Sequence, residues 1–200
     1  MARSIIYRNI RLYRLVMGFL YRGGYGARFM RVAGLIGEAD RTVLELCFGD
    51  VAIAEHCRQS GRTWVGLDMS DEFVAHAAKL GFDARKQDVL RTEAFPVCDV
   101  CVMMGSLYHF APQLRVLFRR IEKASTRFLL SEPVKNWTQA KGALGFLARK
   151  LTKAGDREET FRFDEPSLVQ TLEALKAEMH FNYRVVSVTR DMVVEVVWSK

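Results

Sequence analysis

Two hundred residues, half of them hydrophobic and 26% charged, suit one globular domain with a real core and show no repeat or low-complexity segment. The formal charge of +7 is unevenly held: residues 1–36 carry seven arginines and no acid, residues 134–155 carry five more basic residues and no acid, and the remainder is −5. This asymmetry points to an anionic partner, and the lack of any run of ~18 apolar residues excludes a helical bilayer span.

In chain order, residues 5–36 read as helical segments broken at Gly23-Gly24. Leu12, Leu15, Val16 and Phe19 recur at helical spacing, with Arg8, Arg11 and Arg14 on a neighbouring arc and Tyr7, Tyr13 and Tyr21 available to the boundary. The expectation is a helix whose apolar face packs on the sheet edge; the alternative is a helix lying on a membrane surface. Thr42 to Leu46 is short, mostly apolar and rich in branched residues, a strand buried on both faces. The turn Glu45-Leu46-Cys47-Phe48-Gly49-Asp50 follows, then a helix from Val51 to Arg58 and a second strand, Trp64 to Leu67, ending in Asp68. Strand, glycine turn, helix, strand and terminal acid form the unit that binds a nucleotide-like cofactor in doubly wound sheets. The turn lets a ligand approach the backbone, and the acid can accept both hydroxyls of a ribose.

Asp71 to Leu80 is the next helix, with Ser70 as its N-cap. Phe82 to Lys86 is a third, short strand leading into Gln87-Asp88-Val89. Cys98 to Met104 is the fourth, ending in Gly105-Ser106-Leu107-Tyr108-His109-Phe110, and Pro112 opens a helix through Lys123. Arg127 to Pro133 is a fifth strand with Glu132 at its carboxyl edge. Residues 134–160 are an insertion in which Trp137, Phe146 and Leu147 are interleaved with Lys135, Lys141, Arg149 and Lys150. A helix from Glu165 to Met179 and two strands, Tyr183 to Val188 and Met192 to Trp198, joined at Arg190-Asp191, complete the pattern.

These residues resemble the core of the class I S-adenosylmethionine-dependent methyltransferases. That family's first motif is acidic-x-Gly-x-Gly-x-Gly, and this chain reads Glu45-x-Cys47-x-Gly49-x-Val51, keeping the acid and the central glycine. The final two strands match the antiparallel hairpin that closes the family's sheet. The resemblance covers about residues 40–198 and implies an α/β fold: a doubly wound, Rossmann-like sheet of seven mostly parallel strands with an antiparallel last strand. It implies a methyltransferase-like domain over 37–200, with the basic insertion at 134–160 and residues 1–36 as a basic helical appendage or lid. The implied cofactor is S-adenosylmethionine, with Glu45, Cys47, Gly49 and Asp50 at the turn, Asp68 and Met69 after the second strand, and Asp88 and Val89 towards the adenine. Gly105 follows the fourth strand, and Tyr25, with Arg28, belongs to the segment that closes over the cofactor's methionine end.

Methyl transfer from a sulfonium needs alignment and exclusion of water, and a base where the acceptor is a hydroxyl. At the carboxyl end of the fourth strand His109 is the candidate base, because an imidazole titrates near neutral pH, and Tyr108 orients substrate or lines the cofactor pocket. A histidine there is as readily a structural hydrogen-bonding group, and Glu132 orients a histidine, binds substrate or caps the backbone. No role falls to His56, His76 or His180. The Asn-Pro-Pro-aromatic signature of base-amino methyltransferases is replaced by Gly105-Ser106-Leu107-Tyr108, and the acids of the metal-dependent catechol branch are missing from Met103 to Phe110. The reading is therefore metal-independent methyl transfer to a small-molecule or lipid-linked, anionic acceptor. Cys47, Cys57, Cys98 and Cys101 lack a disulfide-like framework, and Cys98-x-x-Cys101 reads as packing inside a strand, not as a redox or metal motif. With no signal peptide legible, the expectation is a cytoplasmic protein, peripheral at the inner membrane face, of undetermined oligomeric state. Two alternatives stand beside it: a nucleic-acid methyltransferase, marked by steep salt dependence, and a cofactor-degenerate scaffold that binds a membrane or a partner.

Overall fold

The structure is a computed structural model that describes residues 10–21, 23–135 and 161–199. Nearly all of the expected insertion, 136–160, lies outside the described residues. Seven strands form one sheet: β1 (Thr42–Leu46), β2 (Thr63–Asp68), β3 (Asp83–Lys86), β4 (Val100–Met104), β5 (Arg127–Pro133), β6 (Phe181–Val188) and β7 (Asp191–Trp198). Their order is β3-β2-β1-β4-β5-β7-β6. β1 pairs in parallel with β2 and β4, and β4 with β5, while β7 runs antiparallel between β5 and β6. This is the expected seven-stranded sheet with its last strand reversed.

Helices cover both faces: α1 (Ile10–Leu20), α2 (Tyr25–Ala33), α3 (Ala52–Gln59), α4 (Asp71–Lys79), α5 (Leu114–Ala124) and α6 (Glu165–Met179). Successive side chains of a strand point to opposite faces, so the apolar run of β1 feeds two cores. Leu44 and Leu46 pack with Leu117 and Phe118 of α5 and Leu168 and Leu172 of α6. Val43 joins Ile53 and Ala54 of α3, Phe73 of α4, and Phe29, Val32 and Ala33 of α2. α2, within the expected appendage 1–36, thus contributes Phe29, Val32 and Ala33 to the second core.

Three local features depart from the sequence pattern. Pro112 lies inside a 3-10 helix, Leu107–Gln113, and α5 begins only at Leu114. Cys98 and Asp99 fall outside β4: the Cys98 N–H donates to the Ala124 carbonyl, and the Asp99 carboxylate accepts the N–H groups of Arg41 and Thr42. α1 reverses the expected packing. Leu15 is 71% and Phe19 67% exposed, whereas Tyr13 and Arg14 find their partners on the domain. The aromatic and charged residues win because an edge face and carboxylates, not an open apolar groove, stand opposite them.

At the amino edge of the sheet Arg127 binds both Asp40 and Glu195, and Arg184 adds a second bond to Glu195 at 2.5 Å. This ties the linker before β1 to β5, β6 and β7. No described helix is long and apolar enough to cross a membrane.

Candidate functional site

The sheet order reverses between β1 and β4, and the crevice for a ligand in such sheets lies at the carboxyl ends of those strands. There Cys47 (φ 54) and Gly49 (φ 56) both occupy the left-handed region. For Cys47 that conformation costs about 1–2 kcal/mol, and its N–H is held by the Leu67 carbonyl at 2.7 Å. The turn places the Gly49 N–H 3.3 Å from Asp68 Oδ2, while the Ser70 N–H donates to Asp68 Oδ1 at 2.7 Å. Asp68 is thereby fixed at the end of β2, with its carboxylate at the edge where the sheet order reverses.

The other turn residues are more enclosed. Glu45 is fully buried; its Oε2 accepts the Trp64 indole N–H at 2.9 Å, and its Oε1 has no hydrogen-bond partner among the described residues. Burial holds its carboxyl well above the usual range and likewise raises the Cys47 thiol. Asp50 is also buried, and its carboxylate holds Arg14 at 2.7 Å and the Tyr25 hydroxyl at 3.3 Å, so it anchors α1 and α2 to the turn. Asp88, beyond β3, accepts the Leu90 N–H at 2.9 Å and lies 3.6 Å from Arg91. Val89 is buried in the core beneath it, and Met69 is exposed beside Asp68.

The segment before the core lies across this edge. The Tyr13 hydroxyl is 3.2 Å from where a Cβ on Gly49 would stand, and its ring meets Phe73 edge-on at 5.1 Å. Gly105 (φ 68) ends β4, and Arg28 Nη2 lies 2.8 Å from the position of its missing Cβ. Arg28 is 4% exposed, with Nε paired to Asp191 at 3.0 Å and Nη2 lacking a hydrogen-bond partner among the described residues. Burial alone would favour loss of its proton, but Tyr21 and Asp191 outweigh it and keep the guanidinium charged. Asp191 also accepts the Tyr21 hydroxyl at 2.9 Å. Tyr13, Arg14 and Asp191 therefore join the candidate site by their contacts, which the sequence pattern did not indicate. The carboxylates that hold Arg14 and Arg28 are 36 and 163 positions away in the chain, so no local pattern announces the pairs.

On the other side of Gly105, the Tyr108 and His109 rings lie 3.9 Å apart, and the Arg162 guanidinium covers the Tyr108 ring at 3.5 Å. Arg162 was not singled out from sequence. Glu132 is fully buried below them and accepts the Leu107 N–H at 3.0 Å through Oε2. Of its three expected roles this is the backbone cap. Burial pushes its carboxyl up to about 8, against the opposing effects of the Leu107 N–H and Arg28. Burial also raises the thiols of Cys98, to about 11, and of Cys101, which suits packing and not thiolate chemistry. A separate groove of about 580 Å3 along α5, lined by Phe95, Val97, Arg115, Arg119 and Lys123 among others, contains none of these residues.

No protein-family model matches the sequence, and no curated protein matches it. Solved structures match throughout the fold. The magnesium protoporphyrin IX methyltransferase of Synechocystis PCC 6803, with bound S-adenosylhomocysteine, is 15% identical with a TM-score of 0.66, over 94% of this chain and 92% of that one. Human N-acetylserotonin methyltransferase, in complex with S-adenosylmethionine, is 16% identical with a TM-score of 0.65, over 98% of this chain and 58% of that one. A plantazolicin methyltransferase in complex with S-adenosylhomocysteine is 10% identical with a TM-score of 0.68, over 98% and 93%. With the strand order and the reversed last strand, these likenesses establish that the chain has the fold of the S-adenosylmethionine-dependent methyltransferases.

Proposed function

We propose that this chain is an S-adenosylmethionine-dependent methyltransferase that acts, without a metal, on a small-molecule or lipid-linked acceptor bearing negative charge. One observation carries the reading. At a single sheet edge, Asp68 is fixed beside a left-handed turn, and a buried guanidinium with an unpartnered Nη2 lies over Gly105.

These groups fit the cofactor by their chemistry. Asp68 takes the ribose hydroxyls, Asp88 the adenine side, and Cys47 and Gly49 let the ligand approach the backbone. Arg28 supplies positive charge for the carboxylate of the methionine end, and Tyr13 and Tyr25 exclude water above the turn. When bound, S-adenosylmethionine supplies an electrophilic methyl group on a sulfonium. His109 then removes the proton of a hydroxyl acceptor, and Tyr108, in tilted ring contact with it and covered by Arg162, positions the imidazole. Glu132 holds the backbone of this segment through the Leu107 N–H.

A small acceptor is favoured because the proteins of similar fold are named for porphyrin, N-acetylserotonin and plantazolicin methylation. Negative charge on the acceptor, and an inner membrane surface as its location, are favoured by the basic segments 1–36 and 134–155. Calorimetry with S-adenosylmethionine and S-adenosylhomocysteine is the test. Both should bind, and Asp68→Ala should weaken them by about 1.5–3 kcal/mol, the range for hydrogen bonds to a charged group. Unchanged affinity in a folded Asp68→Ala protein would refute the site.

A further inference from the structure

We infer that, on the reading of an acceptor held at an anionic surface, α1 is the helix that seats the protein on that surface, through Leu15 and Phe19. α1 has two working sides. Inward, Tyr13 meets Phe73 and Gly49, and Arg14 binds Asp50. Outward, Leu15 and Phe19, one turn apart, are 71% and 67% exposed. Leu12 continues the same stripe in the sequence. The inward side is already satisfied by polar and aromatic contacts, and Leu15 and Phe19 stand exposed on the described domain.

Charge decides what covers it. An arginine stands one turn before Leu15, at position 11, and another three residues after Phe19, at position 22, and no acid occurs in residues 1–36. A second copy of the helix would bring the same arginines into opposition, a like-charge contact that costs free energy. Anionic lipid headgroups complement those arginines while the interfacial acyl region takes the leucine and phenylalanine. The geometry adds a consequence for the site. A helix with its side chains is about 10–12 Å across, so a surface touching Leu15 and Phe19 lies about one helix thickness from Gly49 and Asp50. An acceptor anchored in that surface reaches the crevice without leaving it.

The test is co-sedimentation of the full chain, without cofactor, with phosphatidylcholine vesicles and with vesicles that also contain phosphatidylglycerol. The wild type should pellet with the anionic vesicles and not with the neutral ones. Leu15→Gln combined with Phe19→Gln should lower that partitioning on the order of tenfold or more, with the thermal midpoint unchanged because both side chains are exposed. Negligible pelleting with both vesicles overturns the inference, as does a double variant that pellets like the wild type. A concentration-dependent dimer, seen by light scattering and abolished in the double variant, overturns it in favour of self-association. Cofactor calorimetry is read separately, so failure of the methyltransferase reading and failure of this one are distinguishable.

Discussion

Glu132→Gln should stabilise the protein, and increasingly so as the pH rises. The wild-type carboxyl is fully buried, accepts the Leu107 N–H at 3.0 Å, and leaves Oε1 without a partner among the described residues. Burial moves it from an ordinary 4.5 up to about 8. A carboxyl whose folded-state value lies above its unfolded value binds more protons when folded. Its contribution to stability is therefore intact below about 4.5 and is lost progressively until the pH passes about 8. At 1.36 kcal/mol per unit, keeping the group protonated in the fold while the unfolded chain releases its proton costs about 3 kcal/mol of stability at pH 7, an upper figure. Glutamine keeps an acceptor for the Leu107 N–H and mimics the protonated acid in shape, so the two proteins should be nearly equal at pH 5. By pH 8 the variant should lead by about 2–4 kcal/mol. Urea unfolding of both proteins at pH 5, 7 and 8 reads this directly, since all other titrations cancel in the difference. A difference that stays constant with pH would refute the account of Glu132 as a buried, mostly protonated cap.

Two further substitutions probe the frame and the crevice. Arg127→Leu leaves Asp40 and Glu195 nearly buried beside an apolar side chain; with Arg127 itself partly exposed, the loss should be about 2–3 kcal/mol. Burial would raise the Glu195 carboxyl, but Arg127 and Arg184 outweigh it and hold it below its ordinary value. That contribution is present above the ordinary carboxylate range and fades as the pH falls through the depressed value, so wild type and variant should converge in acid unfolding. Gly105→Ala places a Cβ at φ 68 and 2.8 Å from Arg28 Nη2; it should cost at least about 1–2 kcal/mol and displace Arg28, seen as a lower thermal midpoint and weaker cofactor binding.

The fold was legible because its signals are local. Val43, Leu44 and Leu46 make the short run from Thr42 to Leu46 mostly apolar and rich in branched residues, which is how a strand covered on both faces reads. Ser70 announced α4 by its side chain, and the closing hairpin announced itself by two strands too near one another for a crossover. The cover over the crevice is different. Periodicity in residues 12–19 establishes a helix, but it cannot say which side meets the domain, because Phe73, Asp50 and Asp191 decide that from far along the chain. An apolar stripe was assigned to the core because cores are the usual home of such stripes, whereas here tyrosine and arginine had the better partners. Glu132 was equally opaque: its position at the end of β5 was readable, but the donor it serves, Leu107, lies 25 residues earlier.

The replaced glycines bear most directly on the idea of a degenerate scaffold, and the two positions are not equivalent. A motif glycine is required only where the backbone takes a positive φ or a ligand comes close. Val51 has φ −93, an ordinary value, and its side chain is 1% exposed, packed in the core with Ile53 and Phe73. A valine there stabilises the start of α3 by burial and imposes no strain on the turn. Cys47 does adopt the glycine-like conformation, and its small, partly buried side chain packs against the core that contains Leu44 and Leu67. The departure from the motif thus amounts to about 1–2 kcal/mol of backbone strain at one residue, held in place by the Leu67 carbonyl. Backbone strain retained at a turn motivates a functional test of that turn, here cofactor calorimetry with a Cys47→Gly variant, which should bind no less tightly than the wild type if the motif is competent.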